Sequence, residues 1–251
     1  MFRGLATAFT LASLASVPLA ASAQDFGADD AWSTRLTLYG WLPSISGVQS
    51  GPDEVPKVNL EANNVFDALQ GAFFGTAEVR RGKFGVFVDL VYADLSSDGT
   101  TNRLDLPVTV GNTVSMGTFA LAYRVLEQDT AWVDVIGGAR AFDIEASGSL
   151  TGPGGRAIDR KATIDWIDPL LGVRGHYQFA ERWGVTGTAD IGGFDTSSNL
   201  NWELIATVNY DFNDTVSGVL GYRYLSILNN SDTLRLDLAL QGPMLGVSFN
   251  F

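Results

Sequence analysis

The sequence predicts an all-β protein: an antiparallel up-and-down transmembrane β-barrel of about ten strands, with eight or twelve as alternatives. Three observations carry this. Stretches of alternating apolar and polar residues recur along the chain, the period-two pattern of side chains on opposite faces of a strand. Most of them run ten residues or more, whereas strands of soluble sheets hold about five or six and a tilted strand crossing a bilayer needs ~9–11. The links between them alternate short and long, which in a meander puts all tight turns at one end and all long loops at the other.

Residues 1–23 read as a secretory signal peptide: Arg3, an uncharged apolar run from Leu5 to Ala20, and Ala21-Ser22-Ala23 as a small-x-small cleavage site. The run is shorter than the ~20 residues of a membrane-spanning helix. Residues 24–251 then form a single barrel domain with long loops on the outer side. Its expected strands are 32–41, 71–80, 84–95, 114–125, 131–144, 164–179, 183–194, 202–212, 216–225 and 244–251. Arg81-Gly82-Lys83, Glu127-Gln128-Asp129, Ala180-Glu181-Arg182 and Asn213-Asp214 are the tight turns, and 42–70, 96–113, 145–163, 195–201 and 226–243 are the long segments. Within the first of these, "NNVFDALQGAF" predicts a helical turn with Val65, Phe66 and Leu69 on one side.

One face of each strand is oily and the other carries charge. Trp202, Leu204, Ala206, Val208, Tyr210 and Phe212 alternate with Glu203, Ile205, Thr207, Asn209 and Asp211. A soluble barrel with an oily interior would alternate in the same way, so periodicity does not choose between the two. Other features do. All six tryptophans fall at strand ends, where headgroup-level girdles would hold them. The 13 Arg against three Lys suit a confined polar interior, where a planar guanidinium satisfies several acceptors at once. That interior is expected to hold Arg35, Glu78, Arg80, Asp89, Arg124, Asp134, Arg140, Arg174, Asp190, Glu203 and Arg223, joined by Asp168 if Pro169 does not shift the register. In a narrow lumen these charges should be paired. Glu203 and Arg223 flank one tight turn and should meet, with Asp190 near enough to share the guanidinium.

The formal charge of −12 is a poor match to nucleic acid. The absence of cysteine excludes disulfides and thiolate metal sites.

The signal peptide, alternating strands, one-sided long loops and final aromatic strand resemble small outer-membrane β-barrel proteins of Gram-negative bacteria, the OmpA-type transmembrane superfamily and its relatives. The resemblance implies that Val247, Phe249 and Phe251 form a C-terminal signal read by the barrel-assembly machinery after escort by periplasmic chaperones. It implies that this last strand closes the barrel on 32–41, and that outer-membrane lipids and lipopolysaccharide surround a monomer. On this reading no periplasmic peptidoglycan-binding domain is expected after Phe251, a departure from full-length members of that superfamily.

Ten strands with a matched ionic interior suggest a plugged lumen. The expected function is therefore an integral barrel acting in envelope integrity or in surface and lipopolysaccharide contact, without cofactor, bound metal or catalysis. The alternative is a narrow channel or uptake path for small solutes. A third reading, an outer-membrane hydrolase, needs a histidine at the outer rim, and the one histidine, His176, lies near a short turn. Asp53, Glu54, Asp98, Asp105, Asp159 and Asp165 could share a divalent ion with lipid phosphates, but no spacing matches a calcium loop, and solvated acidic loops are the simpler reading.

Overall fold

The computed structural model describes residues 31–50, 57–100, 107–151, 157–196, 198–230 and 235–251. The expected signal peptide and its cleavage site lie outside these residues, as do Asp53, Glu54 and Asp105. The elements in chain order are β1 (Trp32–Trp41), β2 (Ser44–Ser50), β3 (Lys57–Leu60), the short helix α1 (Ala62–Ala68), β4 (Leu69–Arg81), β5 (Phe84–Thr100), β6 (Pro107–Gln128), β7 (Ala131–Thr151), β8 (Ala157–Ala180), β9 (Trp183–Gly192), β10 (Leu200–Asp211), β11 (Val216–Asn230) and β12 (Arg235–Asn250).

Every neighbouring pair is antiparallel, and β12 returns to β1 with Leu38 opposite Val247, so the sheet closes into a ten-strand barrel. Closure leaves no wall-long open edge in lipid. β1 and β2 are one wall strand interrupted at Leu42-Pro43: both pair with β12 in a single continuous register. Gly242 is required opposite this break, because a Cβ there would stand 2.0 Å from the Leu42 carbonyl oxygen. β3 is a short addition to the free edge of β2, and α1 carries the chain from it into β4.

Most strands outrun their expected lengths, whereas β1 keeps its bounds and β9 stops at Gly192, short of the expected 194. β6, β7 and β8 hold 22, 21 and 24 residues, about twice what a bilayer crossing requires. Much of what reads as long loop is strand that continues above the membrane: residues 96–100, 107–113, 145–151 and 157–163 stay in the ladder. The helical turn in the first long segment exists, but Val65 is buried while Phe66 is 63% exposed, so they do not share a face. Leu69 already belongs to β4.

Outer and inner faces exchange character along each long strand. Near the short turns the outer face is oily, with Val86, Leu90, Leu121, Val135, Leu171, Val173, Leu220 and Leu245 all exposed. Above that belt, Asp94, Asp143, Asp165 and Asp237 stand outward, while Phe142, Trp166, Leu225, Ile227 and Leu236 pack inward as an apolar core. The lower barrel therefore uses lipid as its apolar phase, and the upper barrel uses its own interior.

The oily belt makes a specific behaviour the expected one. The folded protein should migrate on gels differently from the boiled chain and should withstand external protease along its wall. Recovery of folded protein from water without detergent would contradict it.

Candidate functional site: the lumen

On the inner face the charged side chains sort into two tiers, Arg35, Glu78, Arg80, Arg124, Asp134 and Arg174 below and Asp89, Arg140, Asp190, Glu203 and Arg223 in the middle, with a third polar site above. The lower tier sits near the short turns. Glu78 accepts from Arg80, at 3.1 Å from Nη2, and from Nη1 of Arg174. Asp134, fully buried, accepts from Arg80 and, at 2.6 Å, from Nε of Arg124. Arg35 donates to Asn250 at 2.7 Å, which ties the first strand to the last. Alternation puts these side chains in register: Arg35 stands opposite both Glu78 and Asn250.

The middle tier is built around two almost inaccessible guanidinium groups. Arg140 holds Asp190 bidentately at 2.9 and 3.0 Å, Glu203 at 2.7 Å and Thr118 at 3.0 Å. Arg223 donates from Nε to Glu203 at 2.6 Å and from Nη1 to the Tyr39 hydroxyl at 2.8 Å, and its Nη2 lies 2.9 Å from Asp89. Tyr39 in turn donates to Asp89 at 2.6 Å. Each buried ion here meets opposite charge and at least one hydrogen bond, which offsets desolvation.

The Glu203–Arg223 pair is diagonal rather than opposite, since Arg223 faces Ile205 across the ladder. Asp190 stands directly opposite Glu203, but the guanidinium it shares with Glu203 belongs to Arg140. Sequence spacing around one turn could not reveal that partner, which reaches across the lumen from β7.

Asp168 forms the third site, and Pro169 leaves the β7–β8 register intact with Arg140 opposite Asp168. Its carboxylate accepts from the Trp166 indole at 2.9 Å, the Ser198 amide at 2.9 Å, the Ser198 hydroxyl at 2.6 Å and Asn201 at 2.7 Å. No cation is needed. The site pins the β9–β10 connection against the barrel, where Phe194 and Asp195 adopt positive φ.

Directly above lies the apolar core of Trp41, Val91, Met116, Phe142, Trp166, Leu225, Ile227, Leu236 and Met244. This corrects the tryptophan expectation. Trp32, Trp183 and Trp202 face outward, but Trp41 and Trp166 are buried in the lumen, and Trp132 stacks on His176. The indoles inside cover cations: Arg223 lies 4.9 Å from the Trp41 ring and Arg124 lies 4.5 Å from Trp132. The inner apolar run was legible, because Val91, Phe142, Leu225 and Ile227 continue the faces of Asp89, Arg140 and Arg223 at spacings of two.

Among the described residues, the lower barrel encloses space at two levels. One of about 110 Å³ lies between the tiers among Thr37, Thr76, Thr118, Thr186, Thr188 and Thr207. The other, about 590 Å³, opens at the short-turn end around Arg35, His176, Arg182 and Asp211. His176 is held there by Thr186 at 3.0 Å. Among the described residues no cluster could hold a metal ion.

No protein-family model matches the sequence, and no similar curated protein is found. Solved structures do match. The outer membrane protease OmpT from Escherichia coli superposes with a TM-score of 0.53 over 88% of this chain and 97% of that one, at 9% identity. The fold is that of a bacterial outer-membrane β-barrel. The attachment invasion locus protein Ail of Yersinia pestis, with a heparin analogue, aligns over 88% of this chain and 97% of its own at TM-score 0.36 and 10% identity. Neisserial surface protein A aligns over 88% and 97% at TM-score 0.31 and 13% identity. At these identities the likeness concerns the outer-membrane barrel fold alone.

Proposed function

We propose that this outer-membrane barrel is closed to solutes and works through its surfaces, in envelope integrity or in contact with lipopolysaccharide and other surface partners. The observation that carries this reading is the stacked obstruction of the lumen. A solute entering from the short-turn end meets the lower arginine tier, then the Arg140 and Arg223 networks, then a core of aromatic and aliphatic side chains. Displacing the middle tier would strand buried charge, at a cost of several kcal/mol per ion.

The same reading makes the protein a non-enzyme. Its one histidine is engaged by Thr186 and stacked on Trp132 at the short-turn end, away from the outer rim. It also assigns the terminal strand, with Val247, Phe249 and Phe251 facing outward, the role of assembly signal, and the folded barrel the state of a monomer. Planar-bilayer recording on the refolded full chain tests the lumen. Flat current traces are expected, and reproducible single-channel steps that scale with salt would favour the narrow-channel alternative instead.

A further inference from the structure

Between β1 and β4 the wall has a seam without a ladder in its upper part. β1 and β4 pair from Trp32↔Arg81 up to Leu38↔Gly75 and then part, although the same register would continue through Gly40 and Phe73. Above this point β3 takes up the free edge of β2, and α1 fills the turn into β4, so the two strands cannot rejoin. The parting leaves a groove of about 580 Å³. Its walls combine outward side chains, Leu38, Phe73, Leu220 and Leu245, with the inward Trp41 and Met244. The groove thus runs from the lipid-facing belt to the apolar core of the lumen.

We propose that this seam binds one ester-linked acyl chain of a zwitterionic phospholipid, and the proposal rests on the membrane-embedded reading above. Continuity with the oily belt supplies the occupant, because the groove opens into hydrocarbon and its lining holds no charged side chain. Depth sets where the ester falls. Trp41 is nine residues above the girdle residue Trp32, which at a strand tilt of ~40° is roughly 23 Å, close to the ~25 Å of the hydrocarbon band. Trp41 is also the one lining residue with an unmet need: its indole N–H is buried without a hydrogen-bond partner. A tail that parts the ring from its neighbours brings the ester carbonyl to that donor. Charge selects the headgroup. α1, whose Phe66 lines the groove, carries Asp67 and is preceded by Glu61, both exposed, and no basic residue, so an ammonium suits this rim better than a bare phosphate.

Tryptophan quenching by phospholipids brominated on their acyl chains tests the site in the full-length refolded protein. A reporter with Trp32→Phe, Trp183→Phe and Trp202→Phe keeps only the inward indoles. Its emission should fall in vesicles of brominated phosphatidylethanolamine and phosphatidylcholine, and the fall should vanish on adding Trp41→Phe. Gly40→Phe should protect Trp41, since a Cβ at Gly40 meets nothing closer than 3.9 Å and the ring would fill the groove. Brominated phosphatidylglycerol and ether-linked analogues should quench less at equal mole fraction. Trp41 unquenched while the outward tryptophans of the unmodified protein are quenched would overturn the proposal and leave the membrane reading standing. Outward tryptophans that are also unquenched would overturn both. Equal quenching with and without Gly40→Phe would place the lipid elsewhere, and equal quenching by all four lipids would overturn the assigned headgroup and ester.

Discussion

Replacing Arg223 by methionine is expected to cost about 3–5 kcal/mol of folding free energy, the range for removing one partner of a buried ion pair. The guanidinium is fully buried and answers Glu203, Asp89 and the Tyr39 hydroxyl together, so its loss leaves Glu203 short of a donor and Asp89 without its cation. Glu203 keeps Arg140, whereas among the described residues Asp89 keeps Tyr39. Glu203→Gln in the same background should recover part of the loss, and the double-mutant cycle should show coupling beyond ~0.5 kcal/mol. Urea unfolding in detergent or vesicles measures both. Strict additivity, or a loss under ~1 kcal/mol for Arg223→Met, would mean that the middle tier does not hold the barrel.

Arginine at Val208 should be the second costly change, at about 2–4 kcal/mol for a basic group near the bilayer midplane. Val208 lies outward in the middle of β10, opposite Val185 and Leu220. Thr163→Arg gives the contrast. It is also outward and on a strand, but two residues above Asp165 and next to Lys161 and Glu145 on the water-facing part of the wall. That change should stay within about 0.5 kcal/mol, as surface substitutions usually do. Comparable penalties at the two positions would contradict the exchange of faces along the strands.

The wall was readable because lipid and water impose opposite demands on alternate residues. Val86 and Val88 against Phe87 and Asp89 announce a strand whatever its neighbours are. The tight turns followed from Gly82-Lys83 and Asn213-Asp214, and closure from the terminal strand, whose partner in an even-numbered barrel is the first. Identity alone misplaced the tryptophans. An indole at a strand end serves a girdle if it points out and a cation if it points in, and only alternation counted from Tyr39 and Asp168 puts Trp41 and Trp166 inside. The Arg140 link stayed hidden for a different reason. Pairing across a lumen depends on barrel circumference and stagger, which neighbouring spacings do not encode. The parted seam follows from β3, four residues whose strand character is too brief for periodicity to register.

The reversal of polarity along each long strand also fixes how high the molecule stands in its bilayer. Tyr92 is followed by Asp94 on β5, Ala141 by Asp143 on β7, and Ile167 is preceded by Asp165 on β8, so a step of two residues separates the last greasy position from the first acid on all three strands. Sinking by that interval, about 5 Å along the membrane normal, would drag those carboxylates into hydrocarbon. Rising by as much would pull Arg81 and Arg182 in from the other side and lift Tyr92 and Ile167 into water. Bounded in both directions, the protein is a gauge of membrane thickness. A bilayer that does not match its belt must itself thin or swell around the barrel, since neither boundary can move without a charge entering oil.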